Sequence, residues 1–387
     1  MKLRCLLLKA TLMLFFFHFL FLNVSWGQGF VESAKDNFKW RLIGRAMFDA
    51  GVFYSDSTKL GNGVAISDLR IGAQMFFLEN WEGRVEIGYS ESKVSLKDIY
   101  IAYNTGAHTV KVGHYFEPFG VENRVGTTDY RFMTMSETDK AFGDRRKLGI
   151  SYIYDKKYFT TSAGLFSDSD VDNTKNLNEG YALAGKFAGR PVYDDEKVIH
   201  LGISARFSNH DKDENKSTVY KAGASTNVLS KDAGQFIRAE VTDMINQWRW
   251  GGDVIMYYKG WYLQSECLAL RVNRFGAPNY TGKGAYVQLG CLLWGNKQYK
   301  YNRQQGWVDN PDPKNLELLV RYNVTDMNDR DADIMGGKVQ DVSLGVNYFF
   351  NKFIAARLNY THAMTDRYAI NGKESIDYIQ ARIQLKF

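Results

Sequence analysis

Arg41 and Arg45 stand four residues apart, with Asp49 four further on, in a segment whose even positions from Phe38 to Tyr54 are Phe, Trp, Leu, Gly, Ala, Phe, Ala, Val and Tyr. In an extended chain, residues two apart share a face, so these ionised groups form one stripe. The pattern continues along the chain. Arg70, Arg84, Lys97, Lys111, Arg206, Arg238, Arg321, Arg357, Arg382 and Lys386 fall on polar faces, opposed by Asp49, Asp68, Glu82, Glu86 and Glu240. Side chains of this kind carry fixed charge. Gathered round a constriction, they sort ions. The basic excess supports a mild anion preference. A general diffusion pore, whose paired charges organise water and brace the wall, fits the same stripes.

Other chemistries find less support. Gly276–Gly284 has a faint phosphate-loop look, but five residues separate its glycines where four are needed, and Gly284 stands where a Ser or Thr would hold magnesium. A hairpin loop accounts for it better. Neither a Gly-x-Ser-x-Gly elbow nor His-Glu-x-x-His is present. His200 and Ser204 share one strand face, yet they lie about 13 Å apart along it, too far for a nucleophile and its base. Asp168, Asp170, Asp172 and Glu179 match positions one, three, five and twelve of a calcium loop, with Asn173 in place of the usual Gly and Lys175 intruding. A solvated acidic loop is the plainer reading, and no metal or cofactor is expected. Cys267 and Cys291 are either two unpaired side chains in a sheet or partners across a hairpin centred near Asn279.

The elements that carry these stripes are strands. Residues 1–27 read as a secretory signal, with Lys2, Arg4 and Lys9 ahead of an apolar stretch from Ala10 to Leu22. The formal charge of +6 includes those three cations, so residues 28–387 carry about +3. Charge-driven nucleic-acid binding therefore has little basis. Aromatics are abundant (25 Phe, 24 Tyr, 8 Trp), while mean hydropathy is −0.36. A transmembrane β-barrel reconciles the two, because only alternate residues face lipid and aromatic girdles mark both interfaces. Alternation recurs at 68–77 and 81–89, with a tight turn at Asn80, and at 94–103, 108–116, 147–154, 158–166, 180–188, 197–207, 234–243, 249–258, 261–273, 284–294, 315–325, 338–350, 352–363 and 374–387. Residues 217–228 form one further candidate. The expected architecture is all-β, an antiparallel barrel of about 16 strands, with 18 as the alternative. All five prolines fall outside these runs, as ladder hydrogen bonding requires. Polar stretches at 167–180, 208–217 and 326–337 read as long extracellular loops. The chain ends on an amphipathic strand closed by Phe387, the type of signal that outer-membrane assembly machinery reads.

Leu96-Lys97-Asp98-Ile99-Tyr100-Ile101, Val112-Gly113-His114-Tyr115-Phe116-Glu117-Pro118-Phe119-Gly120, Phe132-Met133, and Arg146 with Gly149 resemble the phosphate-selective porin O/P family. Looser likenesses at His200–Gly202, Ala285–Gln288, Leu316–Tyr322 and Ser343–Tyr348 extend it over nearly the whole mature chain. The resemblance implies a trimeric outer-membrane porin of 16 strands, exported through the periplasm, whose third long loop folds into the lumen. Its partners would be outer-membrane lipid and small hydrophilic or anionic solutes. That loop corresponds to Glu117–Arg145. With Arg146 it brings Arg124, Arg131, Lys140 and Arg145 to the presumed constriction, against Glu117, Glu122, Asp129, Glu137, Asp139 and Asp144. Two departures from the family stand out. Phe116 occupies a position that is commonly Lys, and Thr134-Met135 replace Glu-Arg after Met133. Phosphate selectivity therefore does not follow from the resemblance. A barrel receptor or adhesin acting through its loops, and an outer-membrane barrel hydrolase, are the alternatives.

Overall fold

The computed structural model describes residues 30–387 apart from 34–36, 56, 59, 91–92, 144, 169–179, 210–216, 225–227 and 229–233. The signal peptide, Asp144, and the calcium-loop residues Asp170, Asp172 and Glu179 lie outside the described residues.

Among the described residues, sixteen antiparallel strands close into a barrel. They are β1 Phe38–Ser55, β2 Gly63–Phe77, β3 Trp81–Ser90, β4 Lys93–Thr105, β5 His108–Phe116, β6 Arg146–Lys156, β7 Phe159–Ser167, β8 Tyr181–Tyr193, β9 Lys197–Asn209, β10 Met244–Tyr258, β11 Trp261–Arg274, β12 Tyr280–Trp294, β13 Asn315–Asp329, β14 Ile334–Phe349, β15 Ile354–Thr365 and β16 Ser375–Lys386. β16 pairs back onto β1 from Arg45↔Lys386 to Ser55↔Ile376, and Phe387 completes the seam through two backbone bonds of 2.9 Å with Gly44. Closure leaves no edge, so neighbouring strands supply the backbone partners that water would otherwise provide, as a hydrocarbon surround demands.

The faces sort as the alternation predicts. On β1, Leu42, Phe48, Val52 and Tyr54 are exposed on the outside, whereas Met47, Asp49 and Phe53 are buried inside. Exposed Tyr258, Trp261 and Trp294 gather with half-buried Trp81 at the end with short turns, and Trp248 and Trp250 near the other. At the turn 78–80, Leu78 (φ 49°) and Glu79 (φ 62°) adopt the left-handed geometry that suits tight hairpins. Gly113 on β5 has φ 140°, and a Cβ there would stand 2.3 Å from the Ile99 carbonyl, so no larger residue fits this approach of β4 to β5.

Four expectations need correction. The 234–243 candidate is not a wall strand. Only Ile237–Val241 is extended, pairing with Thr218–Ala222 in a separate hairpin within the β9–β10 connection. Its alternation is real, but five residues cannot span the roughly 9–11-residue membrane path. Residues 326–337 are not a long loop. β13 and β14 continue to a tight turn at 330–333, capped by Asp329 accepting from the Asp331 and Ala332 N–H groups. Strand that rises beyond lipid has two wet faces, so its alternation fades. Pro191 lies inside β8, at a bulge opposite His200 that spares the ladder its missing donor. Cys267 and Cys291 are free. The β11–β12 register sets them opposite Ala285 and Trp261, so the bonded alternative fails.

Candidate functional site

The third long connection, residues 117–145 between β5 and β6, turns into the barrel as the resemblance implied. It carries a 3-10 turn, Glu122–Arg124, and one short helix, α1 (Glu137–Phe142), capped by Ser136, whose side chain accepts from the Asp139 N–H. Phe119, Phe132 and Phe142 are fully buried.

The loop lies flat against β9–β15 and is held there by charge. Glu117 accepts from Arg206 at 2.6 Å, and Glu266 on β11 accepts the Val121 and Glu122 N–H groups at 2.8 and 3.2 Å. Arg321 reaches Glu122 at 3.5 Å and the Thr134 carbonyl at 3.1 Å. Arg357 donates to the carbonyls of Thr128, Tyr130 and Arg131. Thr138 donates to Asn323 at 3.0 Å, and Arg249 donates to the Gly143 carbonyl at 3.0 Å. Backbone polar groups of a buried loop need such partners, so this wall is built to receive it.

Burial also shapes the ionisation of loop carboxyls. Burial, with Glu266 and Glu122 nearby, pushes Asp139 well above the usual carboxylate range. At Asp129 burial works in the same direction, but Lys386 at 2.9 Å, Arg357 and Arg45 outweigh it and hold the group below that range.

The opposite wall, β1–β6, lines a cavity and carries a chain of alternating charges, within which Asp68, Arg70 and Glu86 are themselves buried. Arg45 meets Asp68 (3.0 Å), Asp68 meets Arg70 (2.9 Å), and Arg70 meets Glu86 (3.1 Å). Glu86 then meets Arg84 (2.7 Å), Arg84 lies 3.8 Å from Asp98, and Asp98 meets Arg146 (2.8 Å). Two bulges make this chain possible. Opposite Glu86, both Lys97 and Asp98 sit between the paired Leu96 and Ile99. In β2, Ser67 and Asp68 sit together between the paired Ile66 and Leu69. Each bulge flips the parity of its strand, so two adjacent residues share the inner face.

A cavity of about 1100 Å³ opens beside this chain and reaches the short-turn end of the barrel. Arg41, Arg45, Arg70, Arg84, Lys111, Arg124 and Arg146 line it, and cationic side chains outnumber carboxylates along its surface. Arg41 donates to Gln74 at 2.9 Å, and Lys111 sits 3.5 Å above the Tyr100 ring. Arg41, Lys111 and Arg124 have no ion-pair partner among the described residues.

The other sequence candidates lie elsewhere. Arg131, a residue of the loop itself, is buried 3.7 Å from Glu317 and donates to the Val308 and Asp309 carbonyls. Lys140 pairs with Glu137 at 2.5 Å, and Arg145 is exposed next to β6. Arg238 and Glu240 pair with each other on the short hairpin, away from the wall. Arg382 is bound to Asp49 at 2.6 Å. Asp168 is 3.5 Å from Arg206, and no cluster of metal-ligating side chains occurs among the described residues. The apolar departure Phe116 packs under Arg146, whose guanidinium carbon stands 4.1 Å from its ring.

Sequence reasoning missed one element, the β12–β13 connection at 295–314. It lies at the short-turn end, yet it forms a hairpin, Lys300–Asn302 with Trp307–Asp309, that folds into the lumen. Tyr301 meets His200 at 2.5 Å, and His200 meets Asp253 at 2.7 Å. Lys186 joins the same Asp253 at 2.6 Å and donates to the Gly120 carbonyl at 2.9 Å. This cluster ties the hairpin and the long loop to one patch of wall. Ser204 accepts from the Gly120 N–H at 3.1 Å, so His200 and Ser204 serve separate contacts. The available signal was a long gap at a connection where strand parity demands a short periplasmic turn.

The geometry agrees with known proteins. A porin of Comamonas acidovorans described as anion-selective superposes with a TM-score of 0.56 at 12% identity, over 90% of this chain and 100% of its own. A loop-deleted form of OmpT, an outer-membrane protein of Vibrio cholerae, gives a TM-score of 0.59 at 13% identity, over 90% and 99%. At such identity these likenesses show the fold. An uncharacterized protein of Caulobacter vibrioides is 25% identical over 338 residues, which span 82% of this chain and 66% of that protein. The model of the phosphate-selective porin O and P family matches residues 41–387, so this chain belongs to that family and its barrel is an outer-membrane porin.

Proposed function

We propose that the barrel is a passive channel for small hydrophilic solutes that favours anions, and that it works as a homotrimer without any covalent step. One observation carries the preference: among the described residues, Arg41, Lys111 and Arg124 present cationic charge to the cavity without carboxylate partners, beside a chain in which Arg45, Arg70, Arg84 and Arg146 alternate with Asp68, Glu86 and Asp98. In a narrow, low-dielectric lumen such residual charge attracts counter-ions and repels cations. The solved trimer form of the Vibrio cholerae protein supports the assembly. The anion-selective neighbour supports the sign. Phosphate enters this reading as one anion among others, since Phe116 provides a ring where the family commonly has an ammonium group.

The test is the reversal potential of refolded protein in a planar bilayer under a KCl gradient. The expected sign is that of chloride over potassium, falling close to zero in the Arg41→Gln/Lys111→Gln/Arg124→Gln variant. Equal permeability in wild type would leave a general diffusion pore and remove the preference. Absence of conductance from a folded barrel would remove the channel.

A further inference from the structure

The long loop does not stay on one wall. Beyond its 3-10 turn, which ends at Arg124, the segment Val125, Gly126 and Thr127 reaches the charged wall. Thr128 is pinned to β15 and β16, since its carbonyl accepts from Arg357 at 2.7 Å and from Gln384 at 3.0 Å. A tight turn holds this corner, with the Asp129 N–H donating to the Gly126 carbonyl at 2.7 Å. Just before it, the Thr127 hydroxyl donates to Asp68 on β2 at 2.9 Å. The backbone at Gly126 also passes close to β1: a Cβ built there would stand 3.7 Å from Arg45 Nη1.

Three donors converge on Asp68. Arg45 (3.0 Å) and Thr127 share Oδ2, while Arg70 (2.9 Å) takes Oδ1. The carboxylate is buried, and the bulge at Ser67–Asp68 turns it inward. Arg45 and Arg70 line the cavity from the wall, and Arg124 and Gly126 line it from the loop. One contact between a hydroxyl and a carboxylate therefore joins the loop's edge of the cavity to the wall's edge. The neighbouring tie, Lys386 to Asp129 at 2.9 Å, has an exposed ammonium and is weakened by solvent and salt. A hydroxyl bound to a buried carboxylate is held more firmly.

We propose that Thr127 is a positioning residue of the channel: its bond to Asp68 fixes the crossing segment and, with it, the width of the passage between the loop and the β2–β6 wall. Arg45, Arg70 and Arg124 meet the solute, whereas Thr127 holds the edges that carry them. Without the hydroxyl, residues 125–127 move inward and outward between Arg124 and the pinned Thr128. A moving edge blurs discrimination by size and leaves the number of charges unchanged. The proposal rests on the channel reading and adds to it the residue that sets the size filter.

Thr127→Val removes the donor at nearly constant volume, and Thr127→Ser keeps it. Full-length mature protein, checked for folding by its migration on unheated gels, would be read by single-channel recording and by liposome swelling with a monosaccharide and a disaccharide. Wild type and Thr127→Ser should hold one main conductance level. Thr127→Val should visit other levels about tenfold more often, as loss of a hydrogen bond to a charged group implies. Its swelling rate for the disaccharide should rise relative to the monosaccharide, while the reversal potential keeps its sign. Levels and swelling ratio in Thr127→Val equal to those of wild type would overturn the proposal. So would Thr127→Ser behaving as Thr127→Val, which would trace the effect to volume instead of the hydroxyl. A folded wild type that passes neither ions nor sugar would remove the channel reading, and this inference with it.

Discussion

The two halves of the lumen wall are made from the same residue types and end in different states. On β1–β6, arginines and carboxylates pair with one another along a wall that lines the cavity. On β9–β15, Arg206, Arg321 and Arg357 are buried beneath residues 117–145 and committed to loop carboxylates and carbonyls. A basic residue on an inward face therefore has two fates, and the folded loop decides between them. Charge counted along strands overstates the charge that a solute meets.

The covered half should break most visibly. Glu317 accepts from Tyr299 (2.9 Å) and Asn347 (2.8 Å) and stands 3.7 Å from buried Arg131. Glu317→Ala leaves that guanidinium without its counter-charge, which should destabilise the loop seat by about 3–5 kcal/mol. Urea unfolding should register this, together with a larger and noisier single-channel current. An unchanged current would mean that the loop is held without this pair.

A pH effect should be the next in size. The folded pKa of Asp139 lies above its unfolded value near 3.8, with burial the largest cause and then Glu266 and Glu122. Such a group favours the protonated fold. Its contribution is fully present below the unfolded value and is lost as pH rises through the raised one. Loop docking should thus be tightest in acid and loosen on the way up, seen as conductance noise that grows with pH. Asp139→Asn should flatten that dependence, and a wild-type trace independent of pH would count against it.

The smallest effect should come from the hairpin at 300–309. Arg303 bridges to Asp155 at 2.8 Å but is substantially exposed, so Arg303→Ala should cost less than about 1 kcal/mol. Conductance should rise slightly if the hairpin shades the cavity exit. A large stability loss would show that this contact bears more than its exposure allows.

The wall was largely legible in the sequence because lipid imposes period-two alternation on every strand. Ile379, Ala381, Ile383 and Leu385 announce β16 in this way. Legibility failed where that constraint lapses. Above the bilayer, β13 and β14 resemble a polar loop because both faces are wet. At bulges, parity flips, so Asp98 was overlooked as the partner of Arg84 and Arg146. In the β9–β10 connection, short pieces such as Ile237–Val241 alternate without spanning. The pairing of Arg206 with Glu117 or of Arg321 with Glu122 joins residues far apart in the chain, and no local spacing encodes it.

The distinction between open and covered cations is tested most directly by comparing reversal potentials for Lys111→Gln and Arg321→Gln under one KCl gradient. Each variant removes one positive charge from an inward face. The account predicts a shift toward zero for Lys111→Gln and a wild-type value for Arg321→Gln. A shift in Arg321→Gln with none in Lys111→Gln would contradict it.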